Sequence, residues 1–177
     1  MKKFKTKADL DYACRQLAAQ DAQLANVYET YGAPPMRQQP TGFEGLVRIL
    51  IAQQVSTAAA SAIQKRVDDK LPTMTPENWL ALDDDALAAC GVSRPKRRYL
   101  AGLATAVLEG QLQFARLHRA DNAAAHEMLT ALLGIGPWTA DCYLLFNLLR
   151  ADCFPAGDLA LQEGYRVLYR KNTRPDA

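Results

Sequence analysis

Apolar residues recur along most of this chain with the three- and four-residue spacing of one helix face. Between residues 7 and 19, for example, Leu10, Ala13, Cys14 and Leu17 fall on such a face. Polar N-cap residues, prolines in first turns and glycines after last turns mark the other boundaries. These patterns predict helices over residues 7–19, 21–31, 43–54, 57–70, a short stretch from 76, and residues 84–89, 93–109, 122–132, 137–149 and 159–169.

No segment alternates apolar and polar residues between hairpin turns, as a strand of a sheet would. We therefore predict an all-α fold of about nine or ten short helices. Segment 43–54 is apolar on much of its circumference, which is typical of a helix at the centre of a fold. A chain of 177 residues fits one compact unit or two small helical lobes that share a core.

The net charge of +2 does not by itself indicate a nucleic-acid-binding protein, so the positions of the charges matter more than their sum. Taken alone, each basic cluster is typical of a solvated surface rather than of a phosphate site. The clusters are Lys2, Lys3, Lys5 and Lys7; Arg94, Lys96, Arg97 and Arg98; Arg116 and Arg119; and Arg166, Arg170, Lys171 and Arg174.

The four cysteines lack the close spacing of a zinc or iron–sulfur ligand set, so we interpret them as buried, reduced thiols. Residues 1–13 are charged and lack the apolar centre of a signal peptide. The longest apolar stretches are too short to cross a bilayer. We expect a cytoplasmic protein that does not associate with a membrane.

Two glycines, one residue apart, stand between two predicted helices at Gly134 and Gly136, and Pro137 follows at the start of the second helix. Backbone amides at such a helix start would point outward and could hold a phosphate. We expect Ile135, between the glycines, to lie between the helices. An ordinary helix–turn–helix corner without a ligand is the alternative. The dinucleotide-binding fingerprint is excluded because no strand precedes the turn and the third glycine is missing.

A carboxylate, Asp158, follows Gly157 and precedes an amphipathic helix. In isolation this position is that of an ordinary N-cap. A carboxylate at a helix start can also stay ionised and face a cleft, so the two interpretations are compatible.

Together these segments resemble the helix-hairpin-helix (HhH-GPD) superfamily of base-excision DNA glycosylases, in particular the 3-methyladenine DNA glycosylase II type. Residues 133–140 and 154–158 resemble its hairpin, its Gly/Pro-rich loop and its catalytic aspartate. Residues 49–56 resemble its Gln-Gln-Val/Ile-Ser segment, and residues 91–100 resemble the loop and helix that follow. The resemblance covers about residues 43–170, with the motifs in the family's order.

The resemblance implies two helical lobes with a cleft between them, within a single unit of residues 1–177. Residues 43–120 or so would form one lobe. Residues 1–42 and 121–177 would form the second, with the hairpin and the catalytic aspartate.

The resemblance also implies the function: hydrolysis of the N-glycosidic bond of alkylated purines in damaged double-stranded DNA, after the base is flipped out. Asp158 would stabilise positive charge on the sugar or orient the attacking water. Hairpin carbonyls could hold a monovalent cation, and no other cofactor or metal is expected. The DNA-binding residues would be Gly134, Ile135, Gly136, Thr139, Gln53, Gln54 and Ser56.

Position 138 distinguishes branches of this family, because those that also cut the strand carry a lysine there. Here the residue is Trp138, and an indole cannot form a Schiff base, so no lyase activity is expected. Trp138 and Tyr143 would stack on the base in the pocket. Alternatives remain open: Trp138 as a core anchor, and Gln53 and Gln54 as a helix-terminal polar pair.

Family members usually continue for one or two helices beyond the position of Ala177, so we expect either a shortened form of the protein or a pocket that is more open than usual. We expect a monomer, associated with the nucleoid if the source is bacterial. A non-catalytic, structure-selective DNA-binding module is the alternative function. A weaker one is a protein-interaction domain that uses the alanine-rich face of residues 57–67. The range of damaged bases, including hypoxanthine, ethenoadenine and uracil, stays open.

Overall fold

The computed structural model describes residues 2–176, so Ala177, where the sequence ends, lies outside the described residues. The all-α prediction is confirmed: the one β-type pairing in this range is an isolated bridge between Lys3 and Arg150. The α-helices of the described chain are α1 (Lys7–Ala18), α2 (Ala22–Tyr31), α3 (Gly42–Ala52), α4 (Thr57–Lys70), α5 (Pro76–Ala81), α6 (Asp84–Ala89), α7 (Arg94–Leu108), α8 (Phe114–Arg119), α9 (Asn122–Thr130), α10 (Pro137–Cys142) and α11 (Leu159–Leu168).

Short polar side chains start the helices where the sequence pattern placed them. The carboxylate of Asp21 accepts hydrogen bonds from two amides in the first turn of α2. Ser56 and Thr75 cap α4 and α5 in the same way. Each cap provides an acceptor for an amide that has no partner inside the helix. The predicted starts of these helices are confirmed.

The central element is α3, as its apolar circumference predicted. Leu46, Val47 and Leu50 on this helix are fully buried. It packs against α4, α7 and a π-helical turn (Tyr143–Asn147) that follows α10. The position of α3 therefore links the helices of residues 43–120 to the hairpin region, while the boundary between two lobes stays a prediction.

The structure differs from the predicted helices in one added helix and at several helix ends, including that of α9, which ends at Thr130 rather than at 132. The structure contains α8, which the pattern did not reveal because it is only six residues long and has no side-chain N-cap. The helix predicted for residues 43–54 ends at Ala52. The helix predicted for residues 137–149 is α-helical to Cys142 and then widens into the π-helical turn.

The side chain of Arg150 is fully buried and holds α8 and α9 together. Its guanidinium donates hydrogen bonds of 3.0–3.2 Å to the carbonyls of Leu117, Ala120 and Asp121 and to Oδ1 of Asn122. The carbonyls at the end of α8 have no partner inside the helix, so this arginine satisfies them from 30 residues away. A polar contact, rather than apolar packing alone, therefore fixes the end of α8.

None of the helices in residues 2–176 has the length and apolar character needed to cross a membrane.

Candidate DNA interface and active site

The hairpin between α9 and α10 makes close contact with α7. The backbone of Gly134 has a φ of +88°, a conformation that favours glycine. A Cβ atom added here would lie 2.5 Å from Cγ of Tyr99, so the hairpin also needs glycine to approach the tyrosine ring. The side chain of Ile135 is buried in the core, as the sequence predicted. Its side chain anchors the hairpin and does not face solvent.

The outer side of the hairpin is open. At Gly136, the N-cap of α10, a Cβ atom would meet nothing within 4 Å. Within residues 2–176, no acceptor is found for the backbone amides of Gly134 and Gly136. The hairpin faces a groove with a volume of about 610 Å³, also lined by Gln53, Gln54 and Tyr99. Free amides at a helix start beside an open groove are suited to bind an anion.

The side chain of Gln53 turns inward and connects the α3–α4 loop to the hairpin. Its Nε2 donates hydrogen bonds to the Gly134 carbonyl at 3.1 Å and to Oγ1 of Thr139 at 2.9 Å. Nζ of Lys96 donates to the carbonyls of Ile51 and Gln53, both at 2.7 Å. Burial lowers the pKa of Lys96. These bonds hold the loop and the hairpin in one arrangement.

Gln54 is the exposed member of the glutamine pair. Its φ of 55° is unusual for a residue with a side chain, and it lines the hairpin groove. Ser56 is occupied at the start of α4, where its Oγ accepts from the amide of Ala59 at 3.2 Å. The two glutamines therefore have different environments, which their adjacent positions in the sequence did not reveal. Of the loop side chains expected to contact DNA, Gln53 is bonded internally, Gln54 is free, and Ser56 keeps a hydroxyl hydrogen to donate.

Two residues of the predicted DNA-binding set, Thr139 and Ile135, have buried side chains, so any contact that they make with DNA would use their backbone. Thr139 is 3% exposed, and its hydroxyl accepts from Gln53 inside the protein. Ile135 is 4% exposed. Their side chains cannot reach a DNA backbone and instead support the hairpin, so its exposed backbone is the part available to a ligand.

The carboxylate of Asp158 both caps a helix and faces a cleft, the two interpretations that the sequence left compatible. One oxygen, Oδ1, accepts from the amides of Ala160 and Leu161 at 2.9 and 3.0 Å and so caps α11. The other, Oδ2, accepts from Nε1 of Trp138 at 2.8 Å. The carboxylate also lines an open cleft of about 350 Å³ with Trp138 and Gly157. Capping therefore does not remove the carboxylate from solvent.

The hydrogen bonds to Asp158 stabilise its charged form. The bond from Trp138 is the main cause that holds the pKa of this carboxyl below its ordinary value, and the amides of Leu161 and Ala160 add to it. The cleft therefore contains a negative charge at neutral pH. Trp138 is 38% exposed, so it is not the core anchor that the sequence left possible.

Tyr143 is not in this cleft, and its predicted role in base stacking is corrected. Its ring is fully buried, and its hydroxyl accepts from the Gly42 amide at 2.9 Å. Burial raises the pKa of Tyr143 to about 12. Since neither face of the ring is open, a flipped base has nothing to stack on there.

Carbonyl oxygens are the groups that could hold a cation at the hairpin. The Leu132 carbonyl accepts from the Ile135 amide, and Gln53 occupies that of Gly134. No hydrogen bond from the described chain reaches the carbonyls of Leu133 and Ile135. These free oxygens fit a hard monovalent cation. Residues 2–176 contain no group of three or more His, Cys, Asp or Glu side chains that could hold a metal.

A helix-hairpin-helix with free amides, close to an ionised aspartate in a cleft, defines a class of protein that binds a phosphate backbone and carries out chemistry beside it. The chain belongs to the HhH-GPD superfamily of base excision DNA repair proteins, whose profile matches residues 47–177.

Named relatives and solved structures agree with this family. The chain is 36% identical to DNA-3-methyladenine glycosylase 1 of Schizosaccharomyces pombe over 84% of its own length and 67% of that protein. It aligns with the structure of an S. pombe 3-methyladenine DNA glycosylase in complex with abasic DNA at a TM-score of 0.83 and 31% identity, over 93% of this chain and 84% of that one. A DNA-3-methyladenine glycosidase structure from Bacillus halodurans aligns at 0.79 and 34% identity, over 99% and 80%.

Proposed function

We propose that this chain is a monofunctional DNA glycosylase that releases alkylated purines of the 3-methyladenine type by hydrolysis of the N-glycosidic bond. The observation that carries the proposal is the carboxylate of Asp158, which hydrogen bonds keep ionised in an open cleft near the hairpin. The names of the relatives described above support the same substrate class.

The charge of Asp158 suits the chemistry of such a substrate. An alkylated purine is already cationic, so it leaves with the bonding electrons without first gaining a proton. Positive charge then develops on the sugar, and water bonds to the anomeric carbon and releases one proton to solvent. A fixed carboxylate near this carbon stabilises the transition state more than the ground state. No general acid for the leaving base is needed.

The hairpin groove provides the contact with DNA. The free amides of Gly134 and Gly136 would hold a backbone phosphate at the start of α10. The damaged nucleotide would rotate into the cleft, where the exposed indole of Trp138 offers an aromatic surface to an electron-poor base. Gln54, exposed beside the groove, would fill the gap left in the duplex. A monovalent cation at the carbonyls of Leu133 and Ile135 would add positive charge next to the phosphate.

Base removal without strand cutting is the second part of the proposal. A lyase needs an amine to attack the sugar, and none of the side chains that line the Asp158 cleft in the described chain is a lysine. Trp138, in the first turn of α10, lines this cleft, and its indole is not a nucleophile. Borohydride treatment during turnover should therefore trap no covalent protein–DNA complex. A trapped complex would contradict this part and leave base release intact.

Free-base release is the direct test of the main proposal. Methylated duplex DNA is incubated with the protein, and released 3-methyladenine and 7-methylguanine are measured by chromatography. Asp158→Asn is the matched variant, because asparagine keeps a capping oxygen for α11 while it removes the charge and the acceptor for the Trp138 indole. We expect loss of release with DNA binding nearly unchanged.

Two results would overturn the proposal. Unchanged release by Asp158→Asn would remove this carboxylate from the mechanism. Salt-dependent DNA binding without any release by the unaltered protein would favour a non-catalytic DNA-binding module.

A further inference from the structure

The basic cluster at the start of α7 divides into an internal pair and an exposed pair. Lys96 is bonded to two carbonyls of the α3–α4 loop. Nε of Arg97 lies 2.7 Å from Oδ1 of Asp84, and its Nη1 donates to the Val92 carbonyl. These two cations have partners within the protein, so they are not available to an external anion.

The other two cations, Arg94 and Arg98, are exposed and lie one helical turn apart. Within residues 2–176, no carboxylate lies within 4 Å of either guanidinium. Arg94 contributes to the lowered pKa of Asp84, so this acid balances part of its charge. Arg98 is therefore the cation of the cluster with the least internal compensation.

Arg98 also stacks on a residue that lines the hairpin groove. Its guanidinium carbon is 5.5 Å from the centroid of the Tyr99 ring. The same ring lines the groove and touches the hairpin at Gly134. An arginine held against an aromatic face loses little freedom when it binds a phosphate. One tyrosine thus connects the free cation to the free amides.

We propose that Arg98 binds a phosphate of the DNA backbone and extends the hairpin interface along α7. The inference rests on the proposed function, because it takes DNA as the polyanion at the hairpin. Each strand carries a charge about every 3.4 Å of helix axis, so a strand with one phosphate at the hairpin presents further phosphates to the groove wall. A guanidinium at that wall can bind one of them in a bidentate manner.

The test measures how DNA binding depends on salt. A fluorescent duplex with one tetrahydrofuran abasic site, which cannot be turned over, is titrated at several salt concentrations. For Arg98→Ala we expect weaker binding, and a slope of log K against log salt that is smaller by about 1, the loss of one phosphate contact. Arg98→Lys keeps the charge and should keep the slope. Thermal unfolding should be unchanged, since Arg98 is exposed and has no carboxylate partner.

Arg116→Ala is the matched control: it removes an equal charge from an exposed arginine on α8 that does not stack on Tyr99. Its slope should equal that of the unaltered protein. An unchanged slope for Arg98→Ala, or an equal decrease for both variants, would overturn the inference. Base release by the unaltered protein separates the two proposals. If no base is released but the salt slope depends on Arg98, only the proposed glycosylase activity is rejected. If base is released but the slope does not depend on Arg98, only the proposed Arg98–phosphate contact is rejected.

Discussion

Nε1 of Trp138 lies 2.8 Å from Oδ2 of Asp158 and donates a hydrogen bond to it. The bond joins the first turn of α10, next to the hairpin, to the first residue before α11. A residue whose expected role was to stack on a base therefore also stabilises the charge of the proposed catalytic group. One hydrogen bond therefore connects the proposed base-stacking residue to the proposed catalytic carboxylate.

Trp138→Phe should move the acid limb of the rate profile to higher pH. The indole bond lowers the pKa of Asp158, so its loss lets that pKa rise toward the ordinary value. The charged form is needed for catalysis, and it then disappears at a higher pH than in the unaltered protein. Because the shift lies below the ordinary aspartate pKa of about 3.9, single-turnover base release is followed from neutral pH down through that value.

The hydrogen bond from Trp138 to Asp158 also stabilises the folded protein, and this stabilisation, like the rate, decreases as the pH falls. Because the folded-state pKa of Asp158 is lowered, its contribution to stability is present above the unfolded-state pKa and disappears as the pH falls through the folded-state pKa.

Leu159→Ala is the control for the rate profile, since Leu159 lines the cleft without a bond to the carboxylate. Identical acid limbs for Trp138→Phe and the unaltered protein would contradict this account.

Alanine at the two hairpin glycines should affect different properties: the stability of the fold at Gly134 and the affinity for DNA at Gly136. Gly134→Ala forces a side chain into a left-handed backbone and into Tyr99, so we expect a loss of about 3 kcal/mol in the free energy of unfolding. Gly136→Ala has ordinary φ and open space, so the fold should stay stable. Its methyl group would enter the open space beside the amides that we propose hold a phosphate, so DNA affinity should fall. Urea unfolding and anisotropy titrations separate the two effects, and equal stability of both variants would contradict the prediction.

Gln53 and Thr139 should behave as one unit in DNA binding. Gln53→Ala and Thr139→Val each remove the hydrogen bond between these two side chains, and Gln53→Ala also removes the bond to the Gly134 carbonyl. The double variant should therefore lose little more affinity than Gln53→Ala alone. A coupling energy of about 1 kcal/mol is expected for a partly buried bond of this kind. The measurement is a double-mutant cycle on affinity for abasic duplex. Fully additive losses would show that the two residues act independently.

Arg150→Met should destabilise the fold strongly. Methionine fills part of the volume but leaves the carbonyls at the α8–α9 junction without donors. We expect the free energy of unfolding to fall by about 3 kcal/mol, from several unsatisfied buried groups. Urea unfolding measures the loss, and Arg119→Met on the exposed side of α8 is the control. A loss below about 1 kcal/mol would contradict the role of Arg150.

Helix starts could be predicted because their causes are local. Asp21 and Asp158 each bond amides two and three residues along the chain, which any reader of the sequence can find. The short helix α8 could not be predicted in this way. Its end depends on Arg150, about 30 residues further along, and on the burial of Leu117.

The sequence by itself determined the all-α fold, the family, the hairpin glycines and Asp158, because these follow from residue type and from neighbours within a few positions. Only the tertiary structure decided which of two adjacent glutamines faces the groove, that Tyr143 lies in the core, and that Trp138 reaches Asp158. It also showed that Lys96 and Arg97 have partners within the protein, whereas Arg98 has no carboxylate partner within residues 2–176. Each of these outcomes depends on groups that are distant in sequence, and helix packing, which no local pattern contains, brings them together.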